Sequence, residues 1–229
     1  MRRLASVLAL ALLAACTPRA VIPDAERQKV QTELGGQTRW LRVAAYVAPF
    51  WEDNSKLLLS DEPLGGLDLV ERPDGTPVAP PTAERILPPG TALKVREVEF
   101  ATSWIIAKRV IMTPRYHPWV LLDAPGERRS YVIVLSQTAA SADEVRTELD
   151  RLLSTDDPSS LYLSLPVEQR DAISRKELLD GMSPRAVEMA WGFPERRRID
   201  RPAATEEWIW PDGKRKAFFQ EERLQRWDR

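Results

Sequence analysis

Chemistry at a protein site is done by a short list of side chains, and this chain of 229 residues has one histidine, His117, and one cysteine, Cys16. Those counts exclude a zinc site of cysteines and histidines, an intramolecular disulfide and a cysteine–histidine nucleophile pair. His117 stands in Thr113-Pro114-Arg115-Tyr116-His117-Pro118-Trp119, a proline-bracketed loop, and no motif supplies a nucleophile or an orienting carboxylate for it. It reads as a loop histidine. The same loop sets Arg115, Tyr116 and Trp119 close together, the aromatic-plus-cation composition of binding grooves, and these three are the candidate partner-binding residues. Trp119 also reads as a core residue. Arg196-Arg197-Arg198 offers charge to lipid phosphate or an acidic partner, or keeps a strand edge solvated. The acidic residues are dispersed, with no pair in a glycosidase or metal-binding motif, and neither phosphate-cradling glycine pattern occurs. The reading names no catalytic residue and no metal ligand.

The one cysteine gains its meaning from what precedes it. Met1-Arg2-Arg3 is basic, and Leu4 to Ala15 is an apolar run of Leu, Ala and Val with one Ser. At 12 residues it is short of the roughly 20 a bilayer span needs, and it suits the core of a secretory signal. The run closes in Leu13-Ala14-Ala15-Cys16, which resembles a bacterial lipobox. The resemblance implies cleavage before Cys16 and acylation of its sulfur, and Thr17 in place of Asp implies sorting to the outer membrane. Cleavage removes Arg2 and Arg3 from the 33 basic residues and none of the 34 acidic ones, for a formal charge near −3. Nothing in that balance suggests nucleic acid. Thr17 to Pro23 is a short tether, so the first folded part is expected close to the membrane surface.

These residues must be positioned by ordinary elements, since 43% of the chain is apolar and 29% charged, a globular composition. Asp24–Leu34 reads as a short helix between Pro23 and Gly35-Gly36. Strand patterns follow at Leu41–Ala48, Leu67–Glu71, Ala92–Phe100, Trp104–Met112, Trp119–Asp123 and Ser130–Leu135. Pro73-Asp74-Gly75, Pro88-Pro89-Gly90 and Ala124-Pro125-Gly126 punctuate them. Short strands at this spacing predict a small barrel or sandwich, with Trp104 and Trp119 placed in it. The stretch Leu87-Pro88-Pro89-Gly90-Thr91-Ala92-Leu93-Lys94-Val95 resembles part of bacterial SH-three-like barrels. Ser141–Leu153 reads as a helix, with Ser141 and Glu144 as a capping box and Val145, Leu149, Leu152 and Leu153 on one face. Ser154–Pro166, rich in Ser, Asp and Pro, reads as the domain boundary.

Ser174-Arg175-Lys176-Glu177 reads as a second capping box, opening a helix that stops at Asp180-Gly181. Another helix follows over Pro184–Trp191, with Ser183 as cap, Met182 stapled onto Val187, Gly192 as stop and Pro194 beyond it. Strands are predicted at Arg196–Ile199, Glu206–Trp210 and Arg215–Phe219, with Pro211-Asp212-Gly213 joining the last two, and Leu224–Trp227 able to close the sheet. Trp208 and Trp210, at period two, share a face toward the helices. This order, Gly181-Met182-Ser183, Val187, Gly192-Phe193-Pro194, then Trp208-Ile209-Trp210 and a hairpin, resembles the SmpA/OmlA (BamE-like) family of outer-membrane lipoproteins. The likeness covers about residues 174–228. It implies two helices on a three-stranded antiparallel sheet, with Gly181, Met182, Ser183, Val187, Gly192, Pro194, Trp208 and Trp210 as its caps and core. Members of that family are usually little more than this one domain, whereas here a long segment precedes it.

The expected fold is therefore α+β: a small all-β, SH-three-like barrel followed by a BamE-like ααβββ two-layer domain. The expected division is a signal peptide at 1–15, a lipidated tether and short helix at 16–36, a barrel at 37–137, a helix and linker at 138–166, and the second domain at 167–229. The expected function is non-enzymatic: a lipid-anchored periplasmic scaffold or accessory protein of the outer membrane, acting through contacts with envelope proteins. A covalent lipid on Cys16 is its one added group, and no other cofactor is expected. Peptidoglycan binding by the barrel is the alternative, and an envelope hydrolase centred on His117 a third reading.

Overall fold

The computed structural model describes residues 21–211 and 213–229, and Cys16 with the rest of the expected signal lies outside them. Asp24–Leu34 forms helix α1, over the span its flanking Pro23 and Gly35 predict. The first sheet comprises β1 (Thr38–Leu41), β2 (Ala45–Phe50), β3 (Asp53–Ser60), β4 (Arg85–Leu87), β5 (Ala92–Glu99), β6 (Trp119–Asp123), β7 (Ser130–Val134) and β8 (Leu153–Ser154). Its order is β4-β2-β3-β7-β6-β5-β1-β8, antiparallel throughout except for the β3–β7 pair.

The predicted strand Leu41–Ala48 is thus broken in two, for a physical reason. The pairs Trp40–Ala92 and Ala45–Leu87 belong to one register, but between them the ladder opens. Arg42 donates its N–H to Leu152 O at 2.9 Å and Ala44 to Met189 O at 2.7 Å, outside the sheet. Facing the gap are Pro88 and Pro89, which have no N–H to give. The expected closed barrel is accordingly an open sheet with a sharp bend, ending in β4 and β8.

Alternation along the strands builds two cores. Val47, Leu57, Val95, Val120, Leu122 and Ile133 point to one side, where α1 and α3 (Ala142–Leu152) cover them. Phe50, Trp51, Leu58, Trp119, Leu121 and Val132 point to the other, under the 61–84 connection with its Leu64, Leu67, Val70 and Val78. Each such buried aliphatic side chain contributes about 1.5–3 kcal/mol relative to exposure.

Two further strand expectations are corrected, and Asp53–Ser60 is a strand that the sequence pattern did not single out. Leu67–Glu71 is not one: the Pro73-Asp74-Gly75 turn leaves only an isolated bridge between Glu71 and Pro77. Trp104–Met112 is not one either, because Ser103–Lys108 forms helix α2, whose Thr102 cap accepts from the Ile105 N–H.

The expected linker contains α4 (Ser159–Leu163), and α5 spans Val167–Ser174, ending where the sequence predicted a helix to begin. After α5 the chain turns through Lys176 at φ +54°, which rules out a helix opening there. Helix α6 (Pro184–Trp191) is as predicted: Ser183 Oγ accepts from Ala186 N at 3.2 Å and Pro184 opens the first turn. The second sheet has four strands where the family resemblance implied three, β9 (Arg196–Asp200), β10 (Thr205–Ile209), β11 (Lys216–Gln220) and β12 (Arg223–Asp228). The last covers the Leu224–Trp227 segment read as able to close the sheet, and the four pair in sequence as an antiparallel meander. Trp208 and Trp210 are buried with Met182, Val187 and Trp191, and Trp191 meets Trp210 edge-on at 5.2 Å.

Candidate functional site

The loop that sequence reasoning singled out is organised by a residue that reasoning missed. Arg109, buried just after α2, donates to Arg115 O at 2.9 Å, to His117 O at 2.7 Å and to Glu99 Oε2 at 3.0 Å. Its guanidinium also lies 3.4 Å above the Trp119 ring. Burial pushes its pKa below the ordinary value and Glu99 opposes that, so the cation is held as one half of an ion pair. An Arg next to Lys108 in an otherwise apolar stretch gives no sequence signal of such a role.

The three candidate partner-binding residues separate. Trp119 is only 1% exposed, T-stacked on Phe50 at 4.8 Å with its Nε1 donating to Pro114 O at 3.0 Å, so it is core and offers no contact surface. Arg115 and Tyr116 are half-buried and hold each other, Arg115 Nη2 to Tyr116 Oη at 2.7 Å with the guanidinium 4.8 Å over the ring. His117 is buried, with Nδ1 2.9 Å from Leu135 O and Nε2 2.8 Å from the Gln137 side-chain amide. A carbonyl only accepts, so Nδ1 carries a proton and Nε2 faces the amide donor. Both nitrogens are engaged in bracing the loop.

What the loop exposes is different from what was expected. Trp104, placed in the barrel by its strand-like context, is 68% exposed on α2 and Ile111 is 73% exposed. Lys108 Nζ stacks 4.3 Å over the Trp104 ring, one helical turn along. The four-residue spacing of Trp104 and Lys108 was the available signal for a helical face.

A second surface lies on the four-stranded sheet, on the side away from the helices. The register places Arg198, Glu207, Phe218 and Arg226 in one cross-strand row. Arg198 pairs with Glu207 at 3.0 Å, and Arg226 stacks 3.5 Å over the Phe218 ring. Arg196, Arg197 and Arg198 form part of the β9 edge, and Arg197 is drawn back over Trp208 at 4.2 Å and to Glu188 of α6. The arginine run is therefore tied into the fold as a charged edge.

Between the two sheets lies a buried cation. Lys176 Nζ donates to Ala44 O at 2.7 Å, in the gap between β1 and β2, while Trp191 Nε1 donates to Lys176 O at 3.1 Å. Burial lowers its pKa to about 7, against the attraction of Asp61 and with the help of Arg215 and Arg229. With the Ala44 N–H on Met189 O, the two backbone groups of Ala44 are satisfied by α6 and by Lys176 of the turn after α5. The motif residues Gly181, Ser183 and Gly192 form turns and caps around this junction, and Pro194 follows α6. Among the described residues no cluster of His, Cys, Asp and Glu could hold a metal ion, and no helix is long and apolar enough to cross a membrane. Comparison with protein-family models, with curated proteins and with solved structures finds no match.

Proposed function

We propose that this chain is a lipid-anchored periplasmic protein of the outer membrane, a scaffold or accessory subunit that acts through contacts with envelope proteins. In this reading the bent first sheet is SH-three-like and the helix pair on the four-stranded sheet is BamE-like. The observation that carries it is the open face of the second sheet. Arg198, Glu207, Phe218 and Arg226 present an aromatic ring braced by a guanidinium beside a paired Arg and Glu, on the side of the sheet away from the helices. Arg and aromatic residues dominate the centres of protein interfaces, and pre-braced side chains lose less entropy on docking. The engaged nitrogens of His117 favour this over a hydrolase.

The test is a photo-crosslinking residue in place of Phe218, expressed in the native envelope, beside one in place of Glu177. Discrete protein adducts are expected at 218 and absent at 177. No adduct at 218, together with retention of the purified protein on sacculi, contradicts protein contacts and favours peptidoglycan.

A further inference from the structure

Helix α1 runs back along β5: Gln31 bonds both backbone groups of Val98, and the Gly36 N–H reaches Val95 O. The start of α1 therefore lies where β5 passes into α2. Val21 and Ile22 line a common cavity of about 400 Å³ with Phe100, Thr102, Ser103 and Tyr116. The first described residue, Val21, is 82% exposed, at the same end of the molecule as the exposed Trp104, Val110 and Ile111. From Phe100 to Pro118 there are three basic residues, Lys108, Arg109 and Arg115, and no acidic one.

We infer that the Trp104–Ile111 segment is a membrane-contacting face, which seats the protein on the lipid surface that holds Cys16. The inference rests on the lipid-anchor reading. Four residues lie between Cys16 and Val21, so the anchored chain spans five residue steps and reaches at most about 18 Å before the fold begins. That tether holds the end of the molecule bearing Val21 against the bilayer. Trp104 with Lys108 stacked on it has the make-up of an interfacial anchor, an apolar ring at headgroup depth with a cation at the phosphates. Val110 and Ile111 add apolar surface beside it, and the absence of acidic residues removes repulsion from anionic lipid. An acyl chain fixes distance but not orientation. This face supplies the orientation, and leaves the opposite parts of the molecule to protein partners.

Acylation of Cys16 leaves the mature chain without a free thiol, so a single introduced cysteine can be labelled uniquely. Ile111→Cys and, on β12, Gln225→Cys are each labelled with an environment-sensitive dye. The full-length lipidated proteins are then placed on vesicles of phosphatidylethanolamine and phosphatidylglycerol containing a lipid-borne quencher. The face predicts a blue shift and severalfold quenching at position 111 and neither at 225. A water-like signal at 111 on protein that floats with the vesicles overturns the inference, as does equal quenching at both positions. Failure of the protein to float at all sinks the anchor reading and the inference with it.

Discussion

Two buried cations show how much the meaning of a residue depends on its surroundings. Arg109 keeps its charge because Glu99 and two loop carbonyls surround it, and its work is to hold the segment from 109 to 119 in shape. Lys176 donates to the Ala44 carbonyl and lies 5.0 Å over the Tyr46 ring, and burial lowers its pKa to about 7, with Asp61 as its favourable charge and Arg215 and Arg229 opposing it. The unfolded chain holds that proton up to its ordinary pKa of 10.5, so between about 7 and 10.5 the unfolded state binds more protons and stability rises with pH. Urea unfolding at a series of pH values reads this directly. Wild type should gain stability across that window, and Lys176→Met should flatten the gain while matching or exceeding wild type at about pH 6. Parallel curves for the two proteins contradict the assignment. Neither role was legible in the sequence, because a buried cation is identified by its partners, and those lie up to 132 positions away.

Among the elements, local chemistry was most legible where it was self-sufficient. The Ser183–Pro184 start and the Gly192 stop of α6 stand as predicted, and so does the Ser141 cap of α3. Gly192 has φ +81° and ψ −173°, a region open essentially to glycine, and a Cβ there would stand 2.6 Å from Asp61 Oδ2. Gly181 also has positive φ, at +75°, but open space around it. Alanine should therefore cost about 1 kcal/mol at 181 and about 3 at 192, a difference that chemical unfolding resolves. Equal losses would show that the Asp61 contact is relieved without strain. Elements that depend on distant partners were misread. The β1–β2 strand is broken by Leu152 and Met189, and the residues after Ser174 turn so that Lys176 can reach Ala44, whereas the Thr102 cap that makes Ser103–Lys108 a helix is local and was overlooked. Of the three candidate partner-binding residues, Arg115 and Tyr116 are half-buried and hold each other, and Trp119 is core, since alternation alone does not say which side of a sheet is covered.

For the whole molecule, two sheets are joined at one junction, where Ala44 is bonded to both Met189 and Lys176. The open sheet face with Phe218 and the exposed face with Trp104 and Ile111 belong to different parts of that body. An anchored scaffold needs two such surfaces, one for the membrane and one for a partner. The account turns on the lipid at Cys16, and the most direct measurement is the mass of the mature N-terminal peptide from membrane-fraction protein, beside fractionation of Cys16→Ala. The account predicts a peptide beginning at an acylated Cys16, with wild type in the outer membrane and the variant released to the soluble periplasm. A bare Cys16, a retained leader, or wild type in the soluble fraction would contradict it.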